Sequence, residues 1–153
     1  MTRISIGRTN RLGYAAVGAL EAYARGAVDR ELYELVKLRA SIVNGCGFCI
    51  DMHVTDGRSR GIPHRKLAAV AGWQHAGPLF DDRERAALAL TDAITRLGPD
   101  TVTDEIWDEA ARLFDDAGLG ALVLAISTIN VWNRIAIATE MEPPVDDRHP
   151  AHG

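Results

Sequence analysis

Apolar residues recur at three- and four-residue steps along almost the whole chain, a period that predicts helices rather than strands. Tyr14, Val17, Leu20 and Tyr23 share one face of a segment running from Leu12 to Ala27. Asp29 is placed to cap a second helix whose apolar stripe is Leu32, Leu35, Val36, Leu38, Ile42 and Val43. Asn44-Gly45 interrupts that stripe, and Gly45 suits a C-terminal cap. A third helix is expected from about Cys46 to Arg60, closed by Gly61, and Pro63 opens a short fourth through Trp73. Asp81 and Asp82 cap a fifth that reaches about Leu97, where Gly98-Pro99 stops it. Thr103, followed by Ile106, Ala110, Leu113 and Phe114, begins a sixth. The seventh, Gly118 to about Thr139, is apolar nearly all round, which predicts burial in a core or an interface. No run alternates apolar and polar residues well enough for a strand. The expectation is an all-α fold, a compact bundle of about six to seven helices over residues 1–142, with 143–153 a flexible tail.

Bulk composition narrows the function classes. At 153 residues the chain is expected to form one domain that buries about two-thirds of its unfolded surface. It is 47% hydrophobic, 25% charged and 6% aromatic, an ordinary globular composition. A net charge of −4 and a pI near 5.7 provide no basic field to displace counterions from nucleic acid. There is no Lys/Arg block for an anionic membrane surface, and the N-terminal stretch lacks a signal-peptide layout. The longest apolar run, Ala117 to Ile126, is shorter than the roughly 20 residues of a membrane span. A cytoplasmic location, without nucleic-acid or membrane partners, is expected.

The chemistry concentrates between Glu34 and His53. This stretch, ELVKLRASIVNGCGFCIDMH, holds both cysteines of the chain, Cys46 and Cys49. On a helix beginning near Cys46, positions 46, 49 and 53 lie three and four residues apart and stack on one face. A bridge between such close cysteines closes almost no loop, so it adds little stability and points instead to reactivity or metal binding. A helix N-terminus favours the thiolate, which is the nucleophilic form. His53, one turn below Cys49, is placed to take its proton. Glu34 lies at the edge of its own helix's stripe, and periodicity leaves open whether it faces the thiols or water. A zinc site would use Cys46, Cys49 and His53 with Glu34 as the fourth ligand, although structural zinc sites normally draw on two separated segments. A thioredoxin-type pair would need βαβ surroundings, which the pattern lacks. His64 and His75 sit in connecting segments and are expected to be solvated. The amides Asn130 and Asn133 interrupt the apolar last helix, which places Trp132 or Asn133 near the thiol pocket because a buried amide needs a partner.

The spacing Glu34-x11-Cys46-x2-Cys49-x3-His53 resembles the AhpD-like branch of the carboxymuconolactone decarboxylase superfamily. The flanking KLRASIVNG, DDRERAALALTDA and STINVWNR segments extend the likeness from about Leu32 to Ala138, within a single-domain, peroxidase-related subgroup. The resemblance implies an all-helical homo-oligomer, a trimer or hexamer, that reduces hydroperoxides without a cofactor or metal. It assigns attack on the peroxide to Cys49 and resolution of the resulting sulfenic acid to Cys46. Glu34 and His53 would activate the thiols, and an external thiol reductant, lipoyl- or thioredoxin-like, would close the cycle. One position departs from the well-studied alkylhydroperoxidase: Phe48 stands where that enzyme has a histidine, which removes a proton-transfer group. Two other readings remain open: a disulfide oxidoreductase or redox sensor acting on another thiol, and a non-catalytic or metal-binding oligomer.

Overall fold

The computed structural model describes residues 2–144, and within them the chain is helical with no strand. Eight α-helices follow one another: α1 (Ile6–Thr9), α2 (Arg11–Ala27), α3 (Arg30–Asn44), α4 (Gly47–Ser59), α5 (His64–Ala69), α6 (Asp82–Thr95), α7 (Asp104–Leu113) and α8 (Asp116–Ala138). Two 3₁₀ turns, Val70–His75 and Gly77–Leu79, join α5 to α6. The count exceeds the expected six to seven because a four-residue turn, α1, precedes α2; it buries nothing and so carries no periodic signal. The helix expected from Pro63 through Trp73 is instead split. Regular helix ends at Ala69, and Gly72 departs from helical geometry (φ −121°, ψ 38°) inside the 3₁₀ segment that follows. Of the expected 143–153 tail, residues 145–153 lie outside the described residues.

The caps read from sequence are made. Asp29 accepts from the backbone N–H groups of Glu31 and Leu32, and Gly45 adopts the left-handed conformation (φ 69°) that ends α3. Asp81 and Glu84 form a reciprocal capping box on α6, and Thr103 caps α7; α8 begins at Asp116, two residues before the expected Gly118, with Asp115 as its cap.

Helix α3 is the axis of the bundle. Every residue from Leu32 to Ser41 is buried, so the helix has no solvent face. One side, with Leu32 and Val36, packs with Leu90 of α6, Phe114 after α7, and Leu122 and Ile126 of α8. The other, with Leu35 and Leu38, packs with Ile62, Leu67, Val70, Trp73 and Leu88. The polar residues of α3 are consequently buried too and must be partnered. Arg39 pairs with Asp92 of α6, which also accepts from the Trp73 indole at 3.3 Å.

Helix α8 lies against α2, α3, α4, α6 and α7, and this explains its nearly continuous apolar surface. Leu119, Leu122, Ile126 and Ile129 are buried by the chain's own helices, which leaves Leu124, Val131 and Ile137 as its exposed large apolar residues. The helix is also, as a whole, long and apolar enough to cross a membrane, unlike the short run read from sequence, and half of its most apolar window is buried inside the fold.

Candidate thiol site

Cys46 is the N-cap of α4 and Cys49 lies in its first turn, with Cα atoms 5.3 Å apart and the sulfurs joined as a disulfide. Cys46 Sγ also accepts from the Cys49 backbone N–H at 3.4 Å. Both cysteines are buried, against Ala136 of α8 with Phe48 and Met141 alongside.

Burial of α3 on all sides decides the orientation of Glu34, which periodicity left open. Its carboxylate is 1% exposed and turned toward α4. Oε2 meets His53 Nδ1 at 2.8 Å, and Oε1 accepts from Arg60 Nη1, also at 2.8 Å. A carboxylate can only accept, so Nδ1 carries the imidazole proton in neutral His53 and Nε2 carries the lone pair. Nε2 is fully buried and has no protein hydrogen-bond partner among the described residues. It is free to receive a proton.

A cavity of about 740 Å³ opens beside these groups. One wall is α4, with Phe48, Cys49, Met52, His53, Asp56 and Arg60. Residues of α2 face it, among them Tyr14, Gly18 and Glu21; Lys37 of α3 joins the lining, and α8 adds Trp132 and Ala136. Of the two cysteines, only Cys49 is among the lining residues. Within this site, Glu21 is an acceptor for three donors: the Tyr33 hydroxyl, the Lys37 ammonium and Trp132 Nε1 at 3.0 Å. Burial pushes the Lys37 ammonium below its ordinary value, against the raising effect of Glu21 and, more weakly, Glu34.

The four residues singled out from sequence, Glu34, Cys46, Cys49 and His53, therefore come together. Trp132 reaches the cavity as expected, packing edge-on against Tyr14 with ring centroids 5.0 Å apart. Asn133 does not: it is fully buried between helices, accepting from Asn44 Nδ2 at 2.8 Å and donating to Ser41 Oγ at 3.1 Å. His64, which proves to be the first residue of α5 and not part of a connecting segment, and His75 are exposed, and neither lines the cavity. Arg60 and Asp56 escaped the sequence reading, although the three-four register of 46, 49 and 53 continues to 56 and 60. Lys37 and Glu21 had no comparable signal, because a lysine on a helix is ordinarily solvated.

Metal binding fits this donor set less well than proton transfer. Ligand atoms of Glu34, His53 and Asp56 approach within 4.8 Å of one another. Glu34, however, already holds the Arg60 guanidinium, whose charge would repel a divalent ion bound alongside. In this oxidised state the cysteines, joined to each other, offer no thiolate.

The sequence model of the carboxymuconolactone decarboxylase family matches residues 12–93, from α2 into α6 and across all four site residues. YdfG of Bacillus subtilis, an uncharacterized protein, is 37% identical over 120 residues, covering 78% of this chain and 81% of YdfG. A solved structure from Agrobacterium tumefaciens, ATU0492, is a candidate AhpD antioxidant defence protein of unknown function. It superposes with a TM-score of 0.91 at 34% identity, covering 95% of this chain and all of that one. The debrominase Bmp8 shares the fold (TM-score 0.81, 22% identity, 92% of this chain and 75% of Bmp8).

Proposed function

For this chain, which belongs to the carboxymuconolactone decarboxylase family and to its AhpD-like part, we propose a thiol-dependent peroxidase that reduces hydroperoxides by a dithiol/disulfide cycle. The observation that carries the reading is the placement of Cys49 on the cavity wall beside His53, with Cys46 behind it at bonding distance.

Each step follows from that placement. In the reduced protein His53 Nε2 takes the Cys49 proton, and Glu34 stabilises the imidazolium through Nδ1–H. The Cys49 thiolate attacks the terminal peroxide oxygen. An S–O bond forms as the O–O bond breaks, leaving a sulfenic acid on Cys49 and an alcohol. The Cys46 thiol then attacks Cys49 Sγ and expels water, giving the disulfide found here. A dithiol reductant returns two electrons and two protons. Arg60 holds the second oxygen of Glu34, so the carboxylate keeps its orientation through the cycle.

Burial of both cysteines, each 1% exposed, supports a small oxidant over a folded protein thiol as the first substrate. It weighs against the disulfide-oxidoreductase and redox-sensor readings. A lipoyl group, slender enough to reach the buried disulfide through the cavity, is the proposed reductant. Assembly as a trimer or hexamer in the cytoplasm, without nucleic-acid or membrane partners, belongs to the same proposal. The exposed apolar residues Leu12 and Tyr23 of α2 and Leu124, Val131 and Ile137 of α8 support self-association.

Stopped-flow reaction of the reduced protein with tert-butyl hydroperoxide, followed by mass-spectrometric mapping of the oxidised cysteine, tests the reading. A rapid phase that ends in the 46–49 disulfide is expected. No reaction at micromolar protein and millimolar peroxide would refute it.

A further inference from the structure

The thiol cavity holds a second charged pair that the Glu34–His53 couple does not use. Lys37 lies one turn beyond Glu34 on α3, is 1% exposed, and lines the same cavity as Cys49. Its ammonium binds both carboxylate oxygens of Glu21, and the Tyr33 ring lies 4.6 Å from Nζ. Glu21 is itself fixed by the Tyr33 hydroxyl and the Trp132 indole. Removing a charge pair of this kind from water is costly, and apolar residues of similar volume would commonly hold the helices together as well. Lys37 is thus an expensive group for packing alone, and it lines the cavity through which a substrate reaches Cys49. An ammonium has three N–H donors, of which the two Glu21 oxygens occupy two.

We propose that Lys37, held by Glu21, is the acid of the thiol cavity and protonates the peroxide oxygen that leaves when Cys49 attacks. The proposal rests on the peroxidase reading above and adds a catalytic residue to it. Base and acid then occupy different elements. His53 on α4 receives the thiol proton, and Lys37 on α3 supplies one to the departing alkoxide. Cys49 sulfur is oxidised by two electrons as its bond to oxygen forms, and the peroxide is reduced by the same two as its O–O bond breaks. One proton has been gained at His53 and one lost at Lys37, and exchange with solvent restores both. The sum is thiol plus hydroperoxide giving sulfenic acid plus alcohol. Burial, which lowers the proton affinity of Lys37 relative to a surface lysine, makes it the better donor.

Leaving groups of different basicity test this. The alkoxide from tert-butyl hydroperoxide is strongly basic and needs a proton, whereas the acetate from peracetic acid leaves without one. With Lys37→Met, single-turnover oxidation of Cys49 by tert-butyl hydroperoxide should fall by roughly 10²–10³-fold, within the range for general acid help. Oxidation by peracetic acid should be almost unchanged. The paired variant Glu21→Gln/Lys37→Met leaves no unpaired carboxylate behind and should show the same contrast, so the test survives if the single variant folds poorly. Equal losses with both oxidants, or no loss with either, would overturn the role of Lys37 while leaving the peroxidase reading standing. A wild-type protein inert to both oxidants would instead overturn the peroxidase reading and the role of Lys37 with it.

Discussion

Replacing Glu34 by glutamine changes one atom and should invert the polarity of His53. In the native site Glu34 accepts twice, from Arg60 Nη1 at Oε1 and from His53 Nδ1–H at Oε2, each at 2.8 Å. A glutamine offers one acceptor and one donor. Guanidinium cannot accept, so the amide oxygen must face Arg60 and the amide NH₂ must face Nδ1. Nδ1 then accepts, and the imidazole proton moves to Nε2, the nitrogen that should receive the Cys49 proton. The base is lost although every heavy atom keeps its place. Thiol oxidation should slow by roughly 10²–10⁴-fold, which at about 1.4 kcal/mol per decade is a barrier increase of roughly 3–5 kcal/mol. Stability should fall less. A charge-assisted hydrogen bond worth about 1.5–3 kcal/mol becomes a neutral one worth about 1, so a loss of about 0.5–2 kcal/mol is expected. Single-turnover stopped flow with tert-butyl hydroperoxide measures the first quantity, denaturant unfolding the second, and ¹⁵N NMR of the histidine identifies the tautomer. An unchanged rate, or a proton still on Nδ1, would refute the assignment of His53 as base and Glu34 as its orienting partner.

Cys49→Ser should abolish peroxide reactivity, while Cys46→Ser should accumulate a sulfenic acid on Cys49 that a dimedone-type trap captures; the sulfenic acid appearing on Cys46 instead would reverse the two roles. Asn133→Leu should cost about 1–3 kcal/mol in unfolding free energy, because Asn44 and Ser41 each lose a buried partner, with the peroxide rate unaffected; a slowed rate at unchanged stability would return Asn133 to the site. Burial depresses the pKa of Lys37 below 10.5, so in the window just under that value the unfolded chain binds more protons than the folded one and stability gains with rising pH. Lys37→Met should lack that gain, and superimposable wild-type and variant pH–stability curves would contradict it. Light scattering at micromolar concentration should give a trimer or hexamer mass, and a stable monomer near 16.6 kDa would end the oligomer proposal.

Local signals in the sequence determined most of the helices and the thiol motif. Caps at Asp29, Asp81 and Thr103 and the stop at Gly45 are short-range hydrogen-bond and backbone effects, complete within a few residues, and so they can be read along the chain. The stacking of Cys46, Cys49 and His53 is likewise a property of one helix, and extending the same register would have added Asp56 and Arg60. Side-chain partners from different helices were decided only by packing. Glu34 faces α4 because α3 is enclosed on every side, which no periodicity within α3 could state. Enclosure also accounts for α8, whose unbroken apolar surface admits a central position in one chain as readily as an interface between chains; contacts with five neighbouring helices place it at the centre. Lys37 is the clearest case. On sequence it is one more helical lysine, and its burial against Glu21 depends on where α2 crosses α3, which is set by the hydrophobic contacts of the whole bundle rather than by any residue near it.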